Sequence, residues 1–198
     1  MSPPVIGATR LRILQAAVVC VERSGLARTS LEDVAVAANL SRATVYRHFP
    51  GGRDQVITDV VAWEVGNFLL CLREAVVTEP GMESQLCQAL IVGRRSIAEH
   101  RLLQQILSTE PEALIAELAE TGPMIRTLVS DYLAEHLALE VLREGVDIAE
   151  AAEYLAIMYV SYLGSSGRSD LSDPAVVTRL VRTFFTAGII APVPADAS

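Results

Sequence analysis

Hydrophobic positions recur at helical spacing along the whole chain, and nowhere do they alternate over a length that predicts a strand. Ile13, Leu14, Ala17, Val18 and Val21 form the first apolar stripe, which Ser24-Gly25 ends. Two short helices are predicted over 31–38 and 42–48, and "FPGGRD" separates them from a long helix over 53–77. "TEPG" stops that helix; further helices are predicted over 82–99 and 102–107, and Glu110-Pro111 restarts the chain into "EALIAELAE". Gly122-Pro123 is predicted to open a helix reaching 143 and closed by Gly145. The last two helices cover 148–163 and 174–188, joined by the Gly/Ser-rich "GSSGRSDLSD". The fold class expected is therefore all-α: an N-terminal three-helix head on a larger antiparallel helical body. The head is expected over 8–52 and the body over 53–190, with flexible tails at 1–7 and 191–198.

The final two helices are apolar around most of their circumference. Ala151, Ala152, Leu155, Ala156, Tyr159, Val160, Tyr162 and Leu163 surround the first; Val176, Val177, Leu180, Val181, Phe184, Phe185 and Gly188 give the second a broad stripe. A helix apolar all round is covered on both sides. One cover is a second subunit, met through Leu155, Tyr159, Tyr162, Val177, Leu180, Val181 and Phe184; the other is burial wholly within the chain.

Composition narrows the picture. Of 198 residues 51% are hydrophobic and only 5% aromatic, so the core is aliphatic. The longest uncharged stretches, Tyr154–Gly167 and Thr183–Ala195, fall short of the roughly 18 apolar residues a membrane span needs. "MSPPVIGATR" lacks a basic segment followed by an apolar one, so neither membrane nor secretion is expected and a cytoplasmic location is. Cys20, Cys71 and Cys87 are widely spaced within apolar helical patterns and are expected to be core residues. All 16 basic side chains are arginine. The net charge of −8 is unevenly divided: seven arginines against four acids up to Gln55 give +3, and the remainder carries −11. A mildly basic head on an acidic body points to a nucleic-acid-facing end.

The chemistry of that end lies in "TSLEDVAVAANLSRATVYRHFP", Thr29–Pro50. Ser30 is a predicted N-cap, and Asp33 three places on resembles a capping box. Asn39 stands where a tight helix–helix turn needs a left-handed residue, which asparagine tolerates. Ser41 caps the second helix, whose Val45 and Phe49 are expected to point inward while Arg42, Ala43, Thr44, Tyr46 and Arg47 face out. Small residues at its start suit entry into a major groove, where Arg42 reaches base edges and Thr44 a thymine methyl or a phosphate. Tyr46 and His48 lie on the flank, suited to phosphate oxygens. Catalysis has little support. His48, His100 and His136 are the only histidines, with no nucleophile elbow and no metal-ligand spacing, so no enzyme activity, metal or cofactor is expected.

Together, the Thr/Ser, Asp-Val-Ala, Ala-x-x-Ser and Thr-x-Tyr-x-His-Phe elements resemble the helix-turn-helix of the TetR family of bacterial transcriptional repressors, over about residues 8 to 60. The resemblance implies an all-helical homodimer that binds a palindromic operator in double-stranded DNA. It implies base contacts at Arg42, Ala43, Thr44 and Arg47 and phosphate contacts at Ser30, Tyr46 and His48, with Ser41 heading the same face. The turn glycine of the family is Asn39 here, and its lysine opening the fourth helix is Gly52, leaving Arg53 as the candidate for that phosphate contact. A small effector among the middle helices is implied too. The aliphatic body favours an apolar one, and Gln88, Tyr132, His136 and Tyr154 are the candidates to orient it. Gly93, mid-helix, leaves room for a ligand or lets two helices approach closely. Arg94 and Arg95 are expected on a solvated face. The leading expectation is a repressor released by such an effector; the alternative is a DNA-binding regulator without a ligand, including one that activates.

Overall fold

In a computed structural model of the chain, residues 7–165 and 169–192 are described. Most of the two expected tails (1–6 and 193–198) and 166–168 of the expected linker lie outside the described residues. Among those described, the order is α1 (Ala8–Ser24), α2 (Leu31–Ala37), α3 (Arg42–His48), α4 (Gly52–Val76), α5 (Gly81–Glu99), α6 (Arg101–Thr109), α7 (Pro111–Leu137), α8 (Ile148–Gly164) and α9 (Pro174–Leu180). A π-helical turn, Val181–Thr186, continues α9. The fold is all-α, with an N-terminal helix-turn-helix head and a helical body.

The chain groups into two compact units, one of residues up to 67 with 100–122, the other of 68–99 with 123 onward. This grouping is by packing and is a different cut from the expected functional boundary at 52/53. In the first unit, Ile13, Leu14, Ala17, Leu31, Val34, Val45, Phe49, Val56 and Val60 make one core. Val21, Leu26, Ile57, Leu102, Ile106 and Leu114 make a second, against α6 and the start of α7. Glu110, between those helices, accepts the Ala27 N–H at 2.7 Å. Gly25 has φ +87°, and a Cβ there would fall 1.8 Å from Glu110 Oε1. The backbone requires glycine there, and a Cβ would also push the Glu110 carboxylate off the Ala27 N–H.

In the second unit α5 packs against α8, α9 and the π turn. Leu72, Met82, Leu86, Leu90, Leu133, Leu137, Leu155, Val177, Val181 and Phe185 form its centre. Gly93 permits a close approach: a Cβ would meet Leu163 Cδ2 at 2.7 Å and the Tyr159 hydroxyl at 3.0 Å. Of the two readings of that glycine, close packing is the one the geometry supports. The Tyr159 hydroxyl donates to the Ala89 carbonyl at 3.1 Å, and burial pushes this phenol far above its ordinary value.

The structure corrects several expected boundaries. Gly122-Pro123 does not open a helix; α7 runs through it. Proline disfavours the α conformation in the residue before it partly through that residue's Cβ, and Gly122 has none. Thr121 and Thr127 donate their hydroxyls to the carbonyls of Glu117 and Pro123, 3.0 and 3.1 Å away on either side. The helix then stops at Leu137 rather than 143. Glu140 is used elsewhere, accepting the Met82 N–H at 2.6 Å where α5 begins. Beyond it Leu142 pairs antiparallel with Ile190. The last helix widens at 181 instead of running regularly to 188. The buried Thr186 hydroxyl sits there 3.1 Å from Glu83 and 3.2 Å from the Val181 carbonyl. Cys20 is buried and Cys87 half-buried, as core residues; Cys71 is exposed. Among the described residues one helix, α4, is long and apolar enough to cross a membrane by length and composition, at a mean hydropathy of 1.3. The expectation from uncharged stretches missed it because Asp59 and Glu64 interrupt the run; Asp59 pairs with Arg10, and Glu64 Oε2 lies 3.4 Å from His100 Nε2.

Candidate nucleic-acid interface

The two short helices are built as their caps require. Ser30 Oγ accepts the Asp33 N–H at 3.2 Å and stands 2.6 Å from Asp33 Oδ2, to which it donates. Ser41 Oγ accepts the Thr44 N–H at 3.1 Å and lies 2.9 Å from the Thr44 hydroxyl. Between the helices Asn39 takes φ +51°, the left-handed turn residue expected. Val45 and Phe49 are fully buried. With α3 fixed by that pair, Arg42, Ala43, Tyr46 and Arg47 are left exposed, and Thr44 and His48 half-buried. Residues 42 and 46, and 43 and 47, are one turn apart, so the four share one face.

Arg10 locks the far end of α3. Its Nη1 donates to the His48 carbonyl at 2.8 Å, its Nη2 pairs with Asp59, and its guanidinium lies 4.3 Å from the Phe49 ring centroid. No sequence signal singled it out, because its partners are 38 and 49 residues away. At the near end Arg42 Nη1 pairs with Glu32 of α2, and its guanidinium carbon lies 5.5 Å from the Tyr46 ring centroid. The Tyr46 side chain first, and the Glu32 carboxylate second, raise the Arg42 guanidinium above its ordinary value. In the sequence Glu32 counts only as one of the four acids of the head; it lies in the first turn of α2, where negative charge is favourable in any case.

Arg53 is placed differently from expectation. Its Nε donates to the Thr29 carbonyl at 2.9 Å, its Nη2 to the Leu26 carbonyl, and its Nη1 to Asp54 at 2.9 Å. The guanidinium is thus committed to tying the α1–α2 loop to α4. Gly52, where the family has lysine, takes φ +73°, a conformation lysine enters only with strain. Arg53→Ala is therefore expected to lower the melting stability by about 1–2 kcal/mol, from lost charge-assisted bonds to two carbonyls. The salt dependence of DNA binding should stay unchanged; a slope shallower by one phosphate contact would return Arg53 to the interface.

The other predicted sites separate. Tyr132 and His136 stack with ring centroids 4.0 Å apart, and His136 Nδ1 is 2.8 Å from the Tyr132 carbonyl, so the imidazole bonds back to its own helix. Burial raises the Tyr132 phenol. Gln88 is half-buried. Tyr154 is exposed and donates to the Phe184 carbonyl at 2.9 Å, which places it on the surface of the last helices. Arg94 donates to the Leu163 carbonyl at 2.7 Å, whereas Arg95 is exposed. Of the residues expected to meet a partner, Leu155, Tyr159, Val177, Leu180 and Val181 are buried in their own chain; Tyr162 is half-buried and Phe184 exposed. On these last helices the exposed large apolar side chains are instead Tyr154 (43%), Ile157 (49%), Val160 (37%) and Phe184 (61%). Sequence spacing could not choose between these faces because both are apolar.

Two capped helices at a tight turn, with arginines and a tyrosine on the open face of the second, define a helix-turn-helix DNA-binding regulator of transcription. Residues 13–58 match the model for bacterial regulatory proteins of the tetR family. No curated protein matches it. Solved structures share the fold nearly end to end. The TetR family repressor AlkX from Dietzia sp., implicated in biodegradation of n-alkanes, is 23% identical with a TM-score of 0.65, over 90% of this chain and 95% of that one. A complex of SmeT with triclosan is 23% identical at TM-score 0.56, over 97% and 98%. SmeT is the repressor of a Stenotrophomonas maltophilia multidrug efflux pump. The fatty acid degradation regulator FadR from Bacillus halodurans is 18% identical at TM-score 0.57, over 89% and 95%.

Proposed function

We propose that this regulator is a homodimeric repressor that reads a palindromic operator and is released by a small apolar effector. Arg42, Ala43, Thr44 and Arg47 contact base edges; Tyr46, His48 and the Ser30 and Ser41 hydroxyls contact phosphates. The observation that carries the dimer is the exposed apolar face of Tyr154, Ile157, Val160 and Phe184, on two successive helical elements near the end of the chain. Exposed apolar side chains on neighbouring elements, here joined by the Tyr154 hydroxyl on the Phe184 carbonyl, are a protein-contact signature. Two copies joined there would present two α3 helices to half-sites about 34–36 Å apart on the duplex.

An apolar effector is supported by the aliphatic second-unit core and by similar proteins whose names mention triclosan, fatty acids and n-alkanes. The test is displacement. Triclosan, fatty acids and alkanes are titrated into protein bound to the duplex it selects from a randomised library. Release by at least one, with a rise in melting temperature that follows its concentration, is expected. Neither effect from any of them would favour the second reading, a regulator without a ligand, including one that activates. The filled space at Gly93 is the observation on that side.

A further inference from the structure

Glu32 and Arg42 are both on the solvent side of the helix pair, with side chains 61% and 58% exposed, yet they are paired. An ion pair this exposed contributes little to stability, so its consequence is to be sought in what Arg42 does. The bond to Glu32 uses Nη1 alone. The Nε–Nη2 edge is not committed to the carboxylate, and the Tyr46 ring lies to one side of the guanidinium, 5.5 Å from its central carbon. An arginine bonded at Nη1 and flanked by the Tyr46 ring has lost much of its rotamer freedom, and its planar fork has the two-donor shape that matches guanine O6 and N7. The same carboxylate neutralises the charge that would draw Arg42 to the nearest phosphate.

We propose that Glu32 is a specificity-determining positioning residue: it holds Arg42 for a guanine edge and withholds it from phosphate. This rests on α3 reading DNA, and it adds a residue from α2 that no base need touch. Without the carboxylate, Arg42 is free to swing to the backbone, where it contributes affinity for every sequence and discrimination for none.

The experiment uses the full-length protein, the duplex that wild type enriches most from a randomised library, and a scrambled duplex of equal length. Anisotropy titrations over a salt series are run for wild type, Glu32→Gln, Arg42→Ala and the double variant. Glu32→Gln is expected to lower the selected-to-scrambled ratio about ten-fold or more, the scale of one bidentate base contact. It should also tighten binding to the scrambled duplex and steepen its salt slope by about 0.9, one phosphate's worth. In the Arg42→Ala background the same substitution should change neither ratio nor slope, a dependence that a merely structural acid in α2 would not show. An unchanged ratio, or an equal change with and without Arg42, overturns the assignment while leaving DNA reading intact. If wild type enriches no duplex at all, the helix-turn-helix reading falls first and this proposal with it.

Discussion

Replacing Phe49 with alanine should destabilise the head by about 3–5 kcal/mol, the range for emptying a fully buried aromatic site. Phe49 caps α3, fills the core formed with Val45, Ile13 and Val56, and carries the Arg10 guanidinium on its ring. Deleting it therefore removes the floor on which the DNA-facing helix rests and one of the contacts locking its end. Trp63, the single tryptophan, packs against this same core, so its fluorescence reports the loss directly during denaturant unfolding. Phe49→Leu should cost much less, since it keeps most of the volume. A Phe49→Ala protein within about 1 kcal/mol of wild type would mean that α3 is held by something other than this core.

A charge at the exposed apolar face should have the largest effect on DNA binding without touching the DNA-facing residues. Ile157 and Phe184 are exposed in the single protomer, so Ile157→Asp with Phe184→Asp should leave the helices and the melting of the isolated fold nearly unchanged. In the proposed dimer each aspartate is buried against an apolar surface without a partner, which is strongly unfavourable. The variant is expected to sediment as a monomer. Its affinity for a palindromic duplex should fall by about 10²–10⁴, the avidity that linking two binding modules supplies. Persistence of the dimer would place the interface elsewhere. The same substitution at Leu155 or Val181 is no substitute for this test, because both side chains are buried within their own chain.

The head was legible because its information is local. Ser30, Asn39 and Ser41 act on residues within a few places of themselves, and each adopts the role its chemistry implied, while Asp33 accepts the Ser30 hydroxyl rather than completing the capping box at the Ser30 backbone N–H. Val45 and Phe49 followed from helical spacing alone. Arg53 did not, because whether an arginine faces phosphate or ties a loop depends on carbonyls 24 and 27 residues upstream. Arg10 and Glu32 escaped for the same reason: their meaning is a partner brought near by packing. In the body the difficulty was excess rather than absence of signal. Helices apolar on most sides do not announce which side their own chain covers, so Leu155 and Ile157 read alike until α5 and α9 are in place. Gly122-Pro123 misled because a glycine before proline is both a stop signal and the residue best able to let a helix continue.

The measurement that bears most directly on the central claim is fluorescence anisotropy of the wild-type protein on DNA from immediately upstream of its own gene and on duplexes it selects. Each is compared with a scrambled duplex across a salt series. A reader of base sequence through Arg42, Ala43, Thr44 and Arg47 should prefer its cognate duplex by ~10³-fold or more, a preference that persists as salt rises. Weak and equal binding to every duplex, with one steep salt slope in common, would show that the head makes electrostatic contact only, and would contradict the assignment of α3 as a sequence-reading helix.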